Sequence, residues 1–254
     1  MTLSTVSDRW RCNARHCRQE IGLRKGTWLE RSRMEFRTVI LFIYCWSKNL
    51  ATIKFCSEEL SIGHTTAVDW KNFLREICAW RLLQTPTIVG GPGLHVEIDE
   101  TLISRRKNHA GRVLPQQWIF GGICRETKEV FMYAVPDRTA ATLLDTIQVC
   151  IAPGSIIISD MWASYQGIET MIGRNYTHQT VNHTENFVDP TTGAHTQTIE
   201  SFWHVYEMKN MRQCGTRRSL VDSYLCEFVW RQRYKNTDLF MQIINDTSQF
   251  HPIQ

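Results

Sequence analysis

Apolar residues in the chain follow two different spacings, and each spacing predicts one kind of element. Short apolar runs bounded by glycine, proline or polar turns predict strands. These runs lie at residues 94–105, 117–124, 129–135, 154–162 and 176–184. Apolar residues that recur every three or four positions predict helices. These segments lie at residues 34–49, 57–80, 139–151, 165–172, 195–211 and 219–235.

The helical segment at residues 57–80 is typical of a helix-turn-helix, in which a second helix enters a DNA groove. Ser57 is predicted to cap the first helix, and Gly63 supplies the turn. Either Thr65 or Thr66 is predicted to cap the second helix. Its exposed face would present Asp69, Lys71, Asn72 and Arg75. A plain helical hairpin packed on the rest of the protein fits the same pattern.

Carboxylates interrupt or flank three of the apolar segments that follow residue 93. Asp99 and Glu100 lie within the first predicted strand, Asp160 ends the run Ile156-Ile157-Ile158, and Glu200 lies beside an apolar helical stripe. A buried carboxylate is costly unless it is paired or binds a metal, and an ion pair between Asp99 and an arginine is one solution. The other is a pair of divalent cations, which can activate an attacking oxygen and stabilise the leaving oxygen of a phosphodiester.

Five strings in this region resemble the catalytic domain of Merlin-type DDE transposases and of related bacterial insertion-sequence transposases. They are HVEIDET, QWIFGGICRETKEVFMYAVPDR, IIISDMWASY, VNHTENFVDPTTGAHTQTIESFW and YLCEFVWRQRY, and they span residues 94–234 in order. The resemblance implies an α/β fold of the ribonuclease-H-like kind, a mixed sheet flanked by helices. It also implies that Asp99, Asp160 and Glu200 are the catalytic acids and bind two Mg²⁺ or Mn²⁺ ions.

The activity implied by the resemblance is metal-dependent DNA transposition. Activated water would cleave a strand at the end of the mobile element, and the released 3′-hydroxyl would then attack target DNA. The expected partners are transposon ends, target DNA and further copies of the chain assembled on DNA. Two alternatives stay open: a domesticated, catalytically silent DNA-binding protein, and a ribonuclease-H-like nuclease without strand transfer.

Positive charge is concentrated near the N-terminus. The chain carries +4 overall, whereas residues 9–37 hold nine Arg or Lys and three Glu, a local charge of 9 − 3 = +6. Such a segment is typical of a nucleic-acid-binding arm, although a solvated basic face has the same composition. The candidate phosphate contacts are Arg11, Arg15, Arg18, Arg24 and Lys25 of the arm. Arg105, Arg106 and Lys107, which follow the first predicted strand, form a second basic group.

The nine cysteines are scattered, and several lie in apolar runs, which indicates reduced, packed thiols. Cys12 and Cys17 are the exception, because their short spacing suits zinc, yet they supply only half of a four-ligand site. The stretch resembles the second half of the N-terminal zinc ribbon of Merlin-type proteins, whose first cysteine pair would precede Met1. Either this chain is truncated or its ribbon has decayed. Without the missing ligands, the first ~30 residues are expected to be poorly ordered.

These patterns predict five segments along the chain. They are a basic, partial zinc ribbon at residues 1–33, a helical DNA-binding region at 34–84, a linker at 85–93, the catalytic domain at 94–236 and a tail at 237–254. The apolar run at residues 38–46 is far shorter than the roughly 20 residues that span a bilayer, so no membrane association is expected. The expected location is the nucleus of a eukaryote, or otherwise the cytoplasm.

Overall fold

The structure is a computed structural model that describes residues 1–4, 8–103, 117–182, 188, 193–212 and 216–251. The chain divides into two compact units. The first unit consists of Met1–Arg81 together with Asn236–Gln254, and the second is Leu82–Lys235. All three candidate acids belong to the second unit.

The second unit is a mixed α/β structure built on a five-stranded sheet. Its strands are β4 (His95–Leu102), β5 (Trp118–Cys124), β6 (Val130–Val135), β7 (Ile156–Asp160) and β8 (Thr177–Val181). In space they follow the order β6-β5-β4-β7-β8. The central strand β4 pairs antiparallel with β5 and parallel with β7. Each of the five strands predicted from the sequence is confirmed within the described residues, and residues 104–105 and 183–184 of the predicted runs lie outside them.

Alternate side chains of β4 enter different environments on the two sides of the sheet. Val96 and Ile98 are fully buried in the larger apolar core. Glu97, Asp99 and Thr101 lie on the opposite face, because side chains along a strand alternate. This polar row runs down the middle of a sheet whose neighbouring strand supplies apolar residues on the same face.

Helices cover both faces of this sheet. α4 (Ala140–Cys150) packs on the face of Val96, whereas α5 (Gln197–Arg212) and α6 (Val221–Arg233) contribute to the core of the other face. The predicted helix at residues 165–172 is wrong: a 3₁₀ helix at Ala163–Tyr165 is followed by turns. Gly167 weakens any helix there, and its missing side chain admits Leu144, whose Cδ1 would lie 2.9 Å from an added Cβ.

The first unit begins with a three-stranded antiparallel sheet of β1 (Thr2–Ser4), β2 (Arg9–Arg11) and β3 (Glu20–Gly22). These strands lie within the first ~30 residues, the segment that the missing zinc ligands predict to be poorly ordered. Backbone pairing and aromatic packing compensate in part. Just after this sheet, the Trp28 ring stacks on Phe73 at a centroid distance of 6.3 Å.

Three helices follow in the first unit: α1 (Phe36–Ser47), α2 (Ile53–Leu60) and α3 (His64–Gln84). Their caps differ from the prediction. Thr52 caps α2 by accepting from the Phe55 amide, so Ser57 lies inside the helix rather than at its start. The turn to α3 uses Ser61 in a left-handed conformation, φ 53°. Among the described residues, no helix is both long and apolar enough to span a membrane.

The predicted tail contains a seventh helix, α7 (Leu239–Phe250), which belongs to the first unit. Asp238 caps it by accepting from the Phe240 amide at 3.0 Å. Asp246 is fully buried and forms an ion pair with Arg81 at 3.4 Å. Phe250 packs against Trp80 at a ring distance of 5.5 Å. The C-terminal helix thus completes a unit that begins more than 150 residues earlier in the chain.

Most of the predicted linker, residues 85–93, is held within the second unit. Val89 is fully buried, and its amide donates to the Cys150 carbonyl at 2.8 Å. Gly90 adopts φ +81°, and an added Cβ would lie 2.5 Å from the Ser155 hydroxyl oxygen. The boundary between the units falls at Arg81 and Leu82, a few residues earlier than the sequence predicts.

Candidate active site

Asp99 and Asp160 lie at the same level of two neighbouring strands. Glu97 of β4 is paired with Ile158 of the parallel strand β7, and each acid follows two residues further along its strand. Side chains two residues apart share a face, and adjacent strands are roughly 4.8 Å apart. The two carboxylates therefore project from the same face of the sheet, near the end of β7.

The backbone after β7 orients the Asp160 carboxylate. The Trp162 amide donates to Asp160 Oδ1 at 3.0 Å. The preceding Ser159 is fully buried, and its hydroxyl oxygen lies 2.8 Å from His178 Nε2 on β8. Burial lowers the pKa of His178, which favours the neutral imidazole. Asp160 thus ends strand β7, and hydrogen bonds fix both its own carboxylate and the preceding Ser159.

Helix α5 brings Glu200 to this face of the sheet. Gly121 of β5 is paired with Asp99, and an added Cβ there would lie 2.8 Å from Cη2 of Trp203. The missing side chain lets Trp203 of α5 approach the strand directly beside Asp99. Glu200 itself is exposed, and its Oε1 accepts from the Thr196 hydroxyl at 2.8 Å.

A second contact joins β4 to the first turn of α5. Glu97 is fully buried, and its Oε2 accepts from the Ile199 amide at 2.9 Å. Its Oε1 accepts from Arg125 Nε at 2.5 Å, and the same guanidinium donates through Nη2 to the His195 carbonyl. Sequence reasoning missed Glu97; the available signal was a third acid in the string VEIDE, two residues before Asp99.

Burial and the charges of neighbouring acids govern the electrostatics around Asp99. Burial raises the pKa of Asp99 to about 7, and the charges of Glu100, Asp160 and Glu200 act in the same direction. Within the described part of the chain, Asp99 has no lysine or arginine within ion-pair distance. Nor do these residues include a group of three His, Cys, Asp or Glu already arranged to hold a metal. The three acids therefore influence one another through their charges, but the described residues do not bring them together as a metal-binding cluster.

The arginine expected near Asp99 pairs instead with Glu100 on the other face. Arg138 Nη2 lies 3.5 Å from Glu100 Oε2, and its guanidinium is stacked between Trp118 and Trp162, 4.6 and 4.3 Å from their ring centres. Burial raises the pKa of Glu100, and the charge of Arg138 partly opposes that rise. The salt-bridge interpretation thus applies to the residue next to Asp99.

Of the candidate DNA contacts in the N-terminal arm, most are exposed. Arg11, Arg15, Arg18 and Lys25 lie in solvent. Arg24 differs, because its guanidinium stacks over Phe36 at 4.4 Å and donates to the Ser32 carbonyl at 2.5 Å. Arg24 therefore contributes to the fold of the first unit. The second basic group, Arg105, Arg106 and Lys107, lies outside the described residues.

The helix-turn-helix prediction is wrong for Arg75. Its side chain is buried, 4 % exposed, and bonds to Asn72 Oδ1. Arg75 follows Leu74 on the inward side of α3, so it cannot be part of an exposed row. Asn72 is exposed, and Lys71 is half-buried. The helical hairpin exists, but only part of the face proposed for base contacts is available.

Cys12 and Cys17 lie in the loop between β2 and β3, where the Cys17 thiol donates a hydrogen bond to the Cys12 sulfur. The Ala14 amide and the Cys17 thiol lower the pKa of Cys12 by donating to its sulfur, in that order of importance. Stabilised thiolates favour metal binding. Two ligands are half of the four that structural zinc requires, and no third ligand accompanies them among the residues described.

A comparison with known protein families identifies the chain as a transposase-family protein. The chain belongs to the family of ISXO2-like transposase domains, which matches residues 89–233, more than half of its length. A curated relative is an uncharacterized transposase-like protein of Haemophilus influenzae (strain ATCC 51907 / DSM 11121 / KW20 / Rd). It is 26 % identical over 115 residues, which are 45 % of this chain and 88 % of that protein.

Three solved structures show weaker likeness. A simian T-cell lymphotropic virus intasome in complex with PP2A regulatory subunit B56 gamma matches with TM-score 0.38 and 15 % identity, over 57 % of this chain and 49 % of that one. The HTLV-2 integrase catalytic core domain with magnesium matches with TM-score 0.32, 13 % identity and coverages of 55 % and 84 %. A pre-cleavage Mos1 transpososome matches with TM-score 0.32, 11 % identity and coverages of 80 % and 76 %. Family membership rests on the sequence match.

Proposed function

We propose that this transposase-family chain is a metal-dependent polynucleotidyl transferase that cleaves and joins DNA strands. The observation that carries the proposal is the placement of Asp99 and Asp160 at one level of adjacent strands, with α5 and Glu200 on the same face. We propose a ribonuclease-H-like classification for the second unit and Merlin-type membership within the wider family. The order β6-β5-β4-β7-β8 supports the first and the quoted strings support the second.

The donor set fits a pair of hard divalent cations. All three side chains offer carboxylate oxygens, the ligands that Mg²⁺ and Mn²⁺ prefer. Burial and neighbouring acids raise the pKa of Asp99 to about 7, so a cation would offset a charge that no described lysine or arginine pairs with. We propose Asp99, Asp160 and Glu200 as the residues that would hold the ions. Bound cations would activate the attacking oxygen and stabilise the leaving oxygen of the phosphodiester.

The chain itself supplies orientation and exclusion of water. The Trp162 amide holds one oxygen of Asp160 and leaves the other for a ligand. The Thr196 hydroxyl holds Oε1 of Glu200 on the first turn of α5. Apolar residues of β5 and α5 close the sheet face behind Asp99, which keeps its carboxylate partly desolvated. Such preorganised groups act without reorganising during the reaction.

DNA is the proposed substrate and partner, as transposon end and as target, and assembly on DNA is proposed to involve more than one copy. The exposed basic residues of the arm, Arg11, Arg15, Arg18 and Lys25, support phosphate contacts. Zinc at Cys12 and Cys17 would need two ligands from elsewhere, so the proposal gives it no catalytic role.

Nicking and joining of DNA test the proposed function. Supercoiled plasmid reports strand cleavage, and a labelled oligonucleotide carrying a free 3′-hydroxyl reports joining to the plasmid. Both activities are expected with Mg²⁺ or Mn²⁺ and not with chelator. Asp99→Asn, Asp160→Asn and Glu200→Gln should each reduce them at least a hundredfold. Asp145→Asn, which neutralises an exposed acid on α4, is the matched control.

The outcomes separate the possible activities. Cleavage without joining would identify a nuclease without strand transfer. DNA binding without either reaction would identify a silent DNA-binding protein. Full activity of Asp99→Asn would contradict the proposed site.

A further inference from the structure

We infer that Glu97 is a positioning residue that fixes the first turn of α5 on β4 and thereby sets Glu200 against Asp99. The inference rests on the proposed function for its catalytic meaning. Its structural part stands on contacts alone. Glu97 has no exposed surface, lies two residues before Asp99, and contacts a residue adjacent to Glu200.

A glutamate buried without exposure requires a partner for each of its oxygens. Here Oε1 accepts from Arg125 Nε at 2.5 Å and Oε2 accepts from the Ile199 amide at 2.9 Å. A nearby ring nitrogen, His195 Nδ1, lies 3.6 Å from Oε1. Both oxygens are occupied by protein donors, so Glu97 is a support rather than a ligand.

Glu97 accepts a hydrogen bond from a backbone amide that has no carbonyl acceptor within its own helix. Ile199 lies in the first turn of α5, where backbone amides lack a carbonyl four residues earlier within the helix. A carboxylate from a strand 102 residues away therefore caps this helix. Negative charge at a helix N-terminus is also favoured by the helix dipole.

Arg125 makes the attachment rigid. Its guanidinium donates through Nε to Glu97 and through Nη2 to the His195 carbonyl, just before α5. The Arg125 guanidinium thereby links strand β4, the β5–β6 turn and the start of α5. Planar guanidinium groups bind two acceptors with fixed geometry, which lysine cannot reproduce.

The position of Glu200 follows from this attachment. Glu200 is the next residue after Ile199, so a displaced first turn moves its carboxylate by a similar distance. The Thr196 hydroxyl holds Glu200 within the same turn and moves with it. Partners behind metal ligands typically change metal affinity or activity by roughly 10–100-fold when removed.

Glu227 offers a matched control within the same chain. It is also a buried glutamate, 5 % exposed, and its Oε1 accepts from Arg231 Nε at 2.8 Å and from Lys209 Nζ at 3.1 Å. Lys209 lies in the last turn of α5, at the end remote from Glu200. Glu227→Gln therefore loosens the same helix without touching its first turn.

The experiment compares Glu97→Gln, Glu97→Asp and Glu227→Gln in the full chain. Amide hydrogen exchange without metal reports whether the first turn of α5 is held. The Mg²⁺ concentration for half-maximal plasmid nicking reports whether Glu200 is positioned. Both Glu97 variants should speed exchange at residues 197–201 and raise the Mg²⁺ midpoint at least tenfold, with unchanged DNA affinity. Glu227→Gln should speed exchange in the last turn of α5 and leave the midpoint within twofold of the wild type.

Three results would overturn the inference. They are unchanged exchange at residues 197–201 in both Glu97 variants, an unchanged midpoint despite faster exchange, and an equal midpoint shift in Glu227→Gln. Glu97→Asp keeps the charge but shortens the reach, so it tests the attachment even if Glu97→Gln folds poorly. A wild-type chain without metal-dependent activity would refute the proposed function instead, while the exchange data would still test the attachment.

Discussion

At the scale of single residues, Asp99 shows how a buried candidate catalytic acid lowers the stability of the folded protein. Its ordinary pKa is 3.8, and burial together with neighbouring acids raises it to about 7 in the folded protein. A folded pKa above the unfolded value means that folding binds a proton between these values. Stability therefore falls as pH rises from about 4, and the loss is complete above about 7.

Asp99→Asn should remove this loss. Without divalent cations at pH 8, the variant should be more stable than the wild type by up to roughly 4 kcal/mol, a bound from three pKa units at 1.36 kcal/mol each. The two proteins should nearly converge at pH 4, where the carboxyl is protonated in the folded state and about half protonated in the unfolded state. Urea unfolding at both pH values measures the difference. An equal gap at pH 4 and pH 8 would contradict the titration of Asp99 as its cause.

At the scale of elements, the contact between α5 and β5 decides where Glu200 lies. Gly121 and Gly122 are adjacent on β5 but face opposite sides of the sheet. An added Cβ at Gly121 would lie 2.8 Å from Trp203 of α5, whereas one at Gly122 would lie 2.4 Å from Phe131. Only the first clash involves the helix that carries Glu200.

Gly121→Ala should therefore impair both stability and metal response. Overpacking typically costs roughly 1–3 kcal/mol, and displacement of α5 should raise the Mg²⁺ midpoint for nicking. Gly122→Ala should lower the free energy of unfolding by a similar amount. The protein that remains folded should keep the wild-type Mg²⁺ midpoint for nicking. Thermal unfolding and plasmid nicking across Mg²⁺ concentrations give the two readouts. Equal midpoint shifts in both variants would argue against a specific role for the α5 contact.

At the scale of the whole molecule, the two units have different sequence connectivity. The second is continuous, whereas the first combines the N-terminal part of the chain with α7. α7 contributes the fully buried Ile243 and Asp246 to the first unit, and Asp246 pairs with Arg81. The fold of the first unit therefore depends on residues at both ends of the chain.

Truncation after Lys235 should selectively destabilise the first unit. It removes the α7 contacts of Arg81, Trp80 and Tyr44 and leaves residues 82–235 intact. Hydrogen exchange should accelerate throughout α1 and α3 and stay near wild-type rates in β4–β7. Met241→Gln, at an exposed position of α7, should change neither unit. Faster exchange across the central sheet after truncation would contradict the assignment of α7 to the first unit.

The proposed DNA contacts of the basic arm also belong to this scale, and the salt dependence of DNA binding tests them. Replacing Arg15 and Arg18 by Ala together should reduce the slope of log K against log salt by about 0.9 for each lost phosphate contact. Both side chains are exposed, so stability should change little. Lys128→Gln, at an exposed turn of the second unit, is the control. An unchanged slope would place the phosphate contacts on other residues.

Several features of this protein were determined by local sequence. The run Ile156-Ile157-Ile158 formed strand β7, and the stripe of Ile199, Phe202 and Tyr206 formed the buried side of α5. Such elements are predictable because alternation and helical periodicity are properties of neighbouring residues. The family strings likewise indicated a transposase, and the family match confirms that class.

Tertiary structure decided what each polar residue does. Local patterns could not show that Arg75 would be buried, because the same sequence pattern fits a buried arginine and one that faces solvent. They could not assign α7 to the first unit, because that depends on contacts such as Arg81–Asp246 between distant segments. Glu97 is the clearest case. Its partner is an amide 102 residues away, and only the packing of α5 on β4 makes that amide available.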